Sequence, residues 1–63
     1  MPGKFLVRHK QGGQFHFVLV AENGQVVATS ETYTTKRRCL EGIESVKRLA
    51  ADAPVEDEAP DAA

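Results

Sequence analysis

The sequence predicts a small α+β domain in which three antiparallel strands are followed by one helix, giving a sheet layer and a helix layer. Segments 4–10 and 14–22 are rich in β-branched and aromatic residues, and Gly12-Gly13 between them suits the positive φ of a tight hairpin. Asn23-Gly24 separates the second segment from 25–30 and is typical of a type I′ hairpin turn. From Thr35 the apolar period becomes helical. The predicted order is β-β-β-α, a three-stranded meander and a helix.

The helical period begins at Thr35, and the composition changes to Ala, Pro and acids after Ala51. Its apolar residues recur on one face, at Cys39, Leu40, Ile43, Val46 and Ala50. We expect Cys39, Ile43 and Val46 to pack on the sheet, and Thr34 or Thr35 to supply the N-cap oxygen. Gly42 inside a helix costs about 1 kcal/mol relative to alanine, which a close approach to the sheet would offset. Pro54 prevents any helical continuation.

Two registers are open for the first hairpin. A two-residue Gly12-Gly13 loop places Phe5 and Val7 on the face of Val18 and Val20. A three-residue loop with a bulge instead places them with Phe15, Phe17, Leu19 and Ala21, and we prefer it because it collects the aromatic side chains on one side. Leu6, Val18, Val20 and Val27 are then left on the face that the single helix does not cover.

The chain has 63 residues, and a domain of this size buries only about 60% of the surface that its unfolded chain exposes. Its stability is therefore marginal, or it comes from association, and we expect a homodimer. Cys39 is the single cysteine, so no disulfide forms within the chain and a reducing cytoplasm is expected. No apolar run approaches the roughly 20 residues that cross a bilayer, so no membrane partner is expected.

Charge is unevenly distributed along the chain. Residues 1–50 hold all eight lysines and arginines against four acids, a balance of +4, whereas five acids follow residue 50. Composition predicts that this acidic Ala/Pro tail is disordered. Lys36-Arg37-Arg38 opposes the macrodipole at the helix start, where acids would be stabilising. Such a local cost suggests an anion or nucleic-acid site, which Arg8, Lys10 and His9 would extend if the strands lie nearby.

No catalytic or metal site is expected. His9, His16 and Cys39 are the only imidazoles and thiol, and a metal site needs three or four converging ligands. In the preferred register the two histidines lie on opposite faces, and Cys39 is a buried, inert thiol. Glu41 and Glu44 belong to a solvated helix face, with Glu44 paired to Lys47 or Arg48. We therefore expect no cofactor and no enzymatic activity.

Four segments resemble one repeat of the YegP-like domains of unknown function. They are 15–24 (FHFVLVAENG), 28–31 (ATSE), 33–36 (YTTK) and 42–47 (GIESVK), within a resemblance that covers about residues 4–50. Some members of that family carry two tandem repeats and others one. The resemblance implies a dimer that rebuilds a shared sheet, with short C-terminal strands exchanged between the halves.

The resemblance and the composition differ over the tail. The resemblance implies that residues 53–57 pair as an exchanged strand, whereas residues 58–63 are predicted to stay disordered. The predicted organisation is thus a β-β-β-α domain over 1–51 and a tail over 52–63. The leading functional hypothesis is a non-catalytic, dimeric accessory or protein-interaction domain of unidentified partner. The alternative is a weak nucleic-acid or phosphate-binding module that uses Lys36, Arg37 and Arg38 with Arg8 and Lys10.

Overall fold

A computed structural model describes residues 3–61. Strands β1 (Lys4–Lys10), β2 (Gln14–Val20) and β3 (Val26–Thr29) precede helix α1 (Lys36–Ala50). The strands form an antiparallel sheet in the order β1-β2-β3. The predicted α+β class, with a meander followed by one helix, is confirmed. The predicted tail disorder at residues 62 and 63 lies outside the described residues.

The first hairpin adopts the preferred register. Lys10 pairs with Gln14 across a three-residue loop, and Val7 pairs with Phe17, so the aromatic residues share one face. Gly12 and Gly13 have φ values of 80° and 71°, a region that side-chain-bearing residues seldom adopt. Side chains alternate between the two faces of a strand, so a shift of the pairing by one residue would move every side chain of that strand to the other face. The three-residue loop therefore determines which side chains face the helix.

The second hairpin forms where predicted, but the type I′ turn is wrong. That turn needs positive φ at both central residues, and among residues 3–61 only glycines have it, with Gly24 at 90°. Ala21 and Gln25 close a three-residue loop instead, through the Ala21 amide and the Gln25 carbonyl at 2.8 Å. A register shift at Leu19/Val20 follows, so β2 and β3 are shorter than predicted.

The core lies between the helix and the β1–β2 part of the sheet. Phe17, Cys39 and Ile43 are buried together, and the flanking Phe5, Val7, Phe15 and Tyr33 pack around them. Phe17 meets Phe5 edge to face at 5.8 Å between ring centroids and stacks on Tyr33 at 6.2 Å. The Tyr33 ring is held in place by its own backbone, which exchanges hydrogen bonds of 2.9 and 2.7 Å with Phe15.

The helix begins as predicted, and Thr35 is its N-cap, since its Oγ1 accepts a hydrogen bond from the Arg38 amide at 3.1 Å. The predicted buried stripe is too wide. Cys39 and Ile43 are buried, but Leu40 and Val46 are exposed. Val46 is exposed because the helix packs against β2 and β1 and not against β3, whereas Leu40 lies on the opposite flank of the helix. One flank of the helix therefore has no sheet beneath it.

The opposite sheet face differs from the prediction in a second way. Val18 and Val20 lie on it as predicted, but they are only 5% and 6% exposed. Exposed apolar side chains are found at the β3 edge of the sheet, at Val26, which shares the face of Val20, and at Val27, and also on the helix flank. Among the described residues, the exposed apolar surface therefore lies at the β3 edge and on the helix.

Candidate interaction surface

The predicted basic cluster begins at the first turn of α1. No acidic residue lies in that turn, where a carboxylate would offset the unfavourable position of the cations. Arg37 Nε lies 3.4 Å from Glu41 Oε2, an ion pair between two exposed side chains. Within residues 3–61 the guanidinium of Arg38 makes no such pair. Arg38 is therefore a cation that is available to a binding partner.

The sheet separates the other two candidate cations from the helix start. Arg8 pairs in register with His16 and Lys10 with Gln14, on the face opposite the helix. Lys10 Nζ donates to Thr32 Oγ1 at 3.1 Å, in the connection that leads to α1. Strand alternation thus places Arg8 and Lys10 on the face away from Lys36, Arg37 and Arg38, although the Lys10 ammonium reaches the connection that leads to the helix start.

A groove runs along the uncovered flank of the helix. It is open, has a volume of about 700 Å³, and lies between the β3–α1 connection and the helix. Its wall on the connection side is Thr32, Tyr33, Thr34 and Thr35, and its helix side is Arg38, Glu41, Gly42, Ser45, Val46 and Leu49. We call this surface the flank groove.

The flank groove has two chemically different ends. Arg38 and the threonine hydroxyls lie at the end nearest the helix start, and Val46 and Leu49 lie at the other. Leu49 is 62% exposed, so the apolar end of the groove is open to solvent. The groove lining thus combines apolar side chains with one cation, Arg38, and one carboxylate, Glu41.

The two edges of the sheet also differ. Every residue of β3 is exposed and uncharged, whereas β1 carries Lys4, Arg8 and Lys10 along its edge. Edge lysines and arginines discourage pairing with another strand, and an uncharged, β-branched edge permits it. The β3 edge is the one that can accept a further strand.

The tail leaves the helix without packing on it. The Asp52 and Ala53 amides donate to the Leu49 carbonyl at 3.3 and 3.0 Å, after which residues 54–61 are exposed. Val55 is 93% exposed. A β-branched apolar side chain in that position gains nothing from the fold of a single chain.

The metal and redox candidates remain separate from one another. His9 and His16 lie on opposite faces, as the register predicted, and residues 3–61 contain no group of three or more His, Cys, Asp or Glu placed to hold a metal ion. His9 packs on Phe15 at 4.9 Å. Glu44 pairs with Lys47 at 3.6 Å, and Glu41 with Arg37.

In the described part of the chain, no helix is both long and apolar enough to span a bilayer.

Cys39 has no solvent exposure, and this burial raises the pKa of its thiol above the ordinary value. In the unfolded chain the Cys39 thiol ionises at its ordinary pKa, whereas in the folded chain it keeps its proton to a higher pH. The free energy of unfolding should therefore fall as the pH rises above the ordinary thiol pKa. Urea unfolding between about pH 8 and pH 10 should show this fall in the native chain and a smaller one in Cys39→Ala. Equal slopes for the two chains would contradict the buried thiol.

Comparison with known proteins identifies the family to which this architecture belongs. The model of a domain of unknown function, DUF1508, matches residues 11–57. The chain belongs to the DUF1508 family. A UPF0339 protein of Treponema denticola is 47% identical over 55 residues, which cover 87% of this chain and 95% of that protein. The UPF0339 protein YegP of Escherichia coli is 45% identical over 47 residues, 75% of this chain, so the YegP-like resemblance is confirmed.

The relatives of this DUF1508 domain have two lengths. It spans 95% of the Treponema protein but only 51% of the UPF0339 protein PA0329 of Pseudomonas aeruginosa, at 45% identity over 56 residues. A solved structure, the NMR solution structure of a protein from Haloferax volcanii, has a TM-score of 0.80 and 37% identity, covering 89% of this chain and 95% of that one. The unit therefore occurs both alone and as about half of a longer chain.

Sequence reasoning did not find the flank groove. It assigned Val46 to the core and gave Leu49 no role. The signal was present as a second helical stripe at Arg38, Gly42, Val46 and Leu49, beside the stripe of Cys39 and Ile43. The family match ends at residue 57, so it includes the segment 53–57 that the resemblance implied as an exchanged strand, with its exposed Val55.

Proposed function

We propose that this DUF1508 domain is a non-catalytic protein-interaction domain of the cytoplasm that works as a homodimer. Residues 53–57 of each copy add as a strand to the β3 edge of the other. The observation that carries the proposal is Val55, which is 93% exposed in a single chain although it lies inside the segment that the family model matches. A second copy gives that side chain a place to be buried.

Three further observations support the dimer. The β3 edge is uncharged and exposed along its whole length, as a strand-accepting edge must be. A chain of this size gains much from association, because a single small core supplies only a few kcal/mol. Relatives of about twice the length carry a second segment beside a unit like this one, within one chain.

The proposal that the domain is non-catalytic rests on the surroundings of its reactive side chains. Cys39 is enclosed in the core, and Glu41 and Glu44 each pair with a cation on the same helix. A buried free thiol is typical of reducing compartments, which supports the cytoplasm. The alternative function, nucleic-acid or phosphate binding at the helix start, stays a prediction. It gains no support from the structure, because strand alternation places Arg8 and Lys10 on the sheet face opposite the helix.

The tail exchange predicts the effect of single substitutions on the dimer. Val55→Asp should raise the dimer dissociation constant roughly hundredfold, because two valine side chains lose burial worth about 1.5 kcal/mol or more each. Ala59→Asp, which adds the same charge beyond the exchanged segment, is the control and should change little. Light scattering over a dilution series measures both. Removing residues 52–63 should leave a monomer, and a truncated chain that still dimerises would refute the exchange.

A further inference from the structure

We infer that Arg8, Lys10 and His16 form a binding site for a terminal phosphate group on the sheet face opposite the helix. We call it the strand-face site. It does not depend on the proposed dimer, and it adds a small-ligand site to the proposed function. It is also separate from the cations of the helix start, because its three residues belong to β1 and β2 and face away from α1.

Strand register brings Arg8 and His16 together. The two residues are directly opposed in the antiparallel pairing of β1 with β2. Directly opposed residues share one face of the sheet, with their Cβ atoms about 4.5–5.5 Å apart. Arg8 is exposed and forms no ion pair within residues 3–61. Its guanidinium donors are therefore available to an oxyanion beside the His16 ring.

Lys10 reaches the same part of the sheet from the end of β1. Its Nζ donates to Thr32 Oγ1 at 3.1 Å. Thr32 lies on the far side of β2, in the short segment between the residues that pair with Phe17 and Phe15, and so opposite His16. Because the Lys10 side chain starts on the face opposite the helix, it crosses β2 beside His16. The ammonium keeps further N–H donors for a ligand.

The surroundings of the His16 ring select which of its nitrogens is the donor. Nδ1 is enclosed and makes no hydrogen bond within residues 3–61, whereas Nε2 is not enclosed. A proton on Nδ1 would be a buried donor without an acceptor, which is costly. The neutral ring therefore carries its proton on Nε2, where a ligand can accept it. The strand-face site thus adds a neutral donor to its two cations.

This set of donors matches a phosphate group better than a carboxylate. The fork of an arginine alone satisfies the two oxygens of a carboxylate. The ammonium of Lys10 and the Nε2–H of His16 need further acceptor oxygens, which a terminal phosphate has. The charge of Arg8 and Lys10 together also balances the roughly −2 charge of a phosphate monoester near neutral pH.

Protection of the β1 edge does not account for the position of Lys10. Lysines and arginines on an edge strand discourage further pairing, and side chains that move freely in solvent are sufficient for that. Lys10 is instead held across the sheet at Thr32, which costs side-chain entropy. Glu31, beside Thr32, is exposed and forms no ion pair within residues 3–61. The cations are thus held on one face without a carboxylate of the chain to neutralise them.

Titration of the full-length chain with inorganic phosphate tests the inference, with NMR shifts of amide and side-chain nitrogens as the readout. Sodium chloride at the same ionic strength is the reference for general salt effects. Phosphate should give saturable shifts at Arg8, Lys10 and His16 that chloride does not give. The absence of saturable shifts would refute the site, and shifts confined to residues 35–38 would place the anion at the helix start instead.

Substitutions distinguish a defined site from a general attraction between charges. Arg8→Gln and Lys10→Gln should each raise the phosphate dissociation constant about fivefold. Lys4→Gln is the matched control, since it removes the same charge from the same face of β1 about 13 Å farther along the strand. It should change the dissociation constant by less than about twofold. Equal weakening by all three substitutions would show that only the total charge matters and would overturn the strand-face site.

His16→Phe removes the Nε2 donor and leaves the formal charge unchanged. The phosphate affinity should fall, and the amide spectrum shows whether the chain remains folded. His16→Gln keeps an N–H donor, so it should bind phosphate more tightly than His16→Phe does. Native affinity in both variants would contradict the part of His16 in the site.

A terminal phosphate and a nucleic-acid backbone offer related chemistry, and two further probes separate them. A small phosphomonoester should bind about as tightly as inorganic phosphate, because the site contacts the terminal group. A single-stranded oligonucleotide without terminal phosphates offers only singly charged phosphodiesters, and it should bind more weakly per phosphate. Tighter binding of the oligonucleotide per phosphate would overturn the assignment to a terminal phosphate. Each titration is interpretable whether the native chain is a monomer or a dimer, so its failure is distinct from failure of the proposed dimer.

Discussion

Phe17→Ala is expected to leave a large fraction of the chain unfolded in water at 25 °C. Phe17 is 6% exposed and is the central ring of the core, with contacts to Phe5 and Tyr33 and a place in the cluster of Cys39 and Ile43. Truncating a buried phenylalanine to alanine costs about 3 to 5 kcal/mol. A chain of 63 residues has a total stability of about 3 to 9 kcal/mol at ordinary values per residue.

Circular dichroism during urea titration measures this loss, at one fixed chain concentration because dimerisation would otherwise shift the midpoint. Phe17→Leu keeps part of the volume and should still fold, which makes the loss measurable when the alanine variant does not. Gln11→Ala in the exposed loop between β1 and β2 is the control and should shift the free energy of unfolding by less than about 0.5 kcal/mol. A Phe17→Ala chain as stable as the control would show that the core is elsewhere.

Gly42→Leu is expected to destabilise the domain by about 2 kcal/mol, although helix propensity alone predicts a gain of nearly 1 kcal/mol. A Cβ at Gly42 would collide with the Tyr33 hydroxyl and would lie 2.8 Å from Tyr33 Cζ and 3.3 Å from Phe17 Cε2. The Tyr33 ring cannot easily move away, because it stacks on Phe17 and its backbone is bonded to Phe15.

The collision predicts a reversal of sign. In a Tyr33→Ala background the space taken by the ring is vacant, so Gly42→Leu should there be neutral or stabilising. The four chains of this double-mutant cycle are compared by their free energies of unfolding in urea. If Gly42→Leu stabilises the native background as well, the close approach of Tyr33 to the helix is refuted, and propensity alone governs this position.

Local sequence signals predicted most of the fold. The apolar alternation of 4–10 and 14–22 placed two strands, the glycines placed both hairpins, and the change of period at Thr35 placed the helix start within one residue. The type I′ turn was wrong because Asn23-Gly24 indicates a reversal without specifying how many residues it contains. That number is decided by the pairing of Ala21 with Gln25 and by the bulge beside it.

The candidate site was less predictable. The sequence drew attention to Lys36, Arg37 and Arg38, but it could not show that Arg37 would pair with Glu41 while Arg38 would line a groove. Arg8 and Lys10 were predicted to extend this cluster if the strands lie near the helix start. Strand alternation instead places both residues on the sheet face opposite the helix. Proximity between elements depends on packing that charge patterns do not encode.

The sequence by itself determined the order of the elements and limited the N-cap to Thr34 or Thr35, since both depend on residues close in the chain. It favoured one of two registers for the first hairpin, and the structure decided between them. Only the tertiary structure decided where the helix lies across the sheet. Covering Phe17 with Cys39 and Ile43 centres α1 over β1 and β2, because that position buries the largest side chains. The same choice leaves β3 without a helix, exposes Val46 and Leu49, and creates the groove beside Arg38.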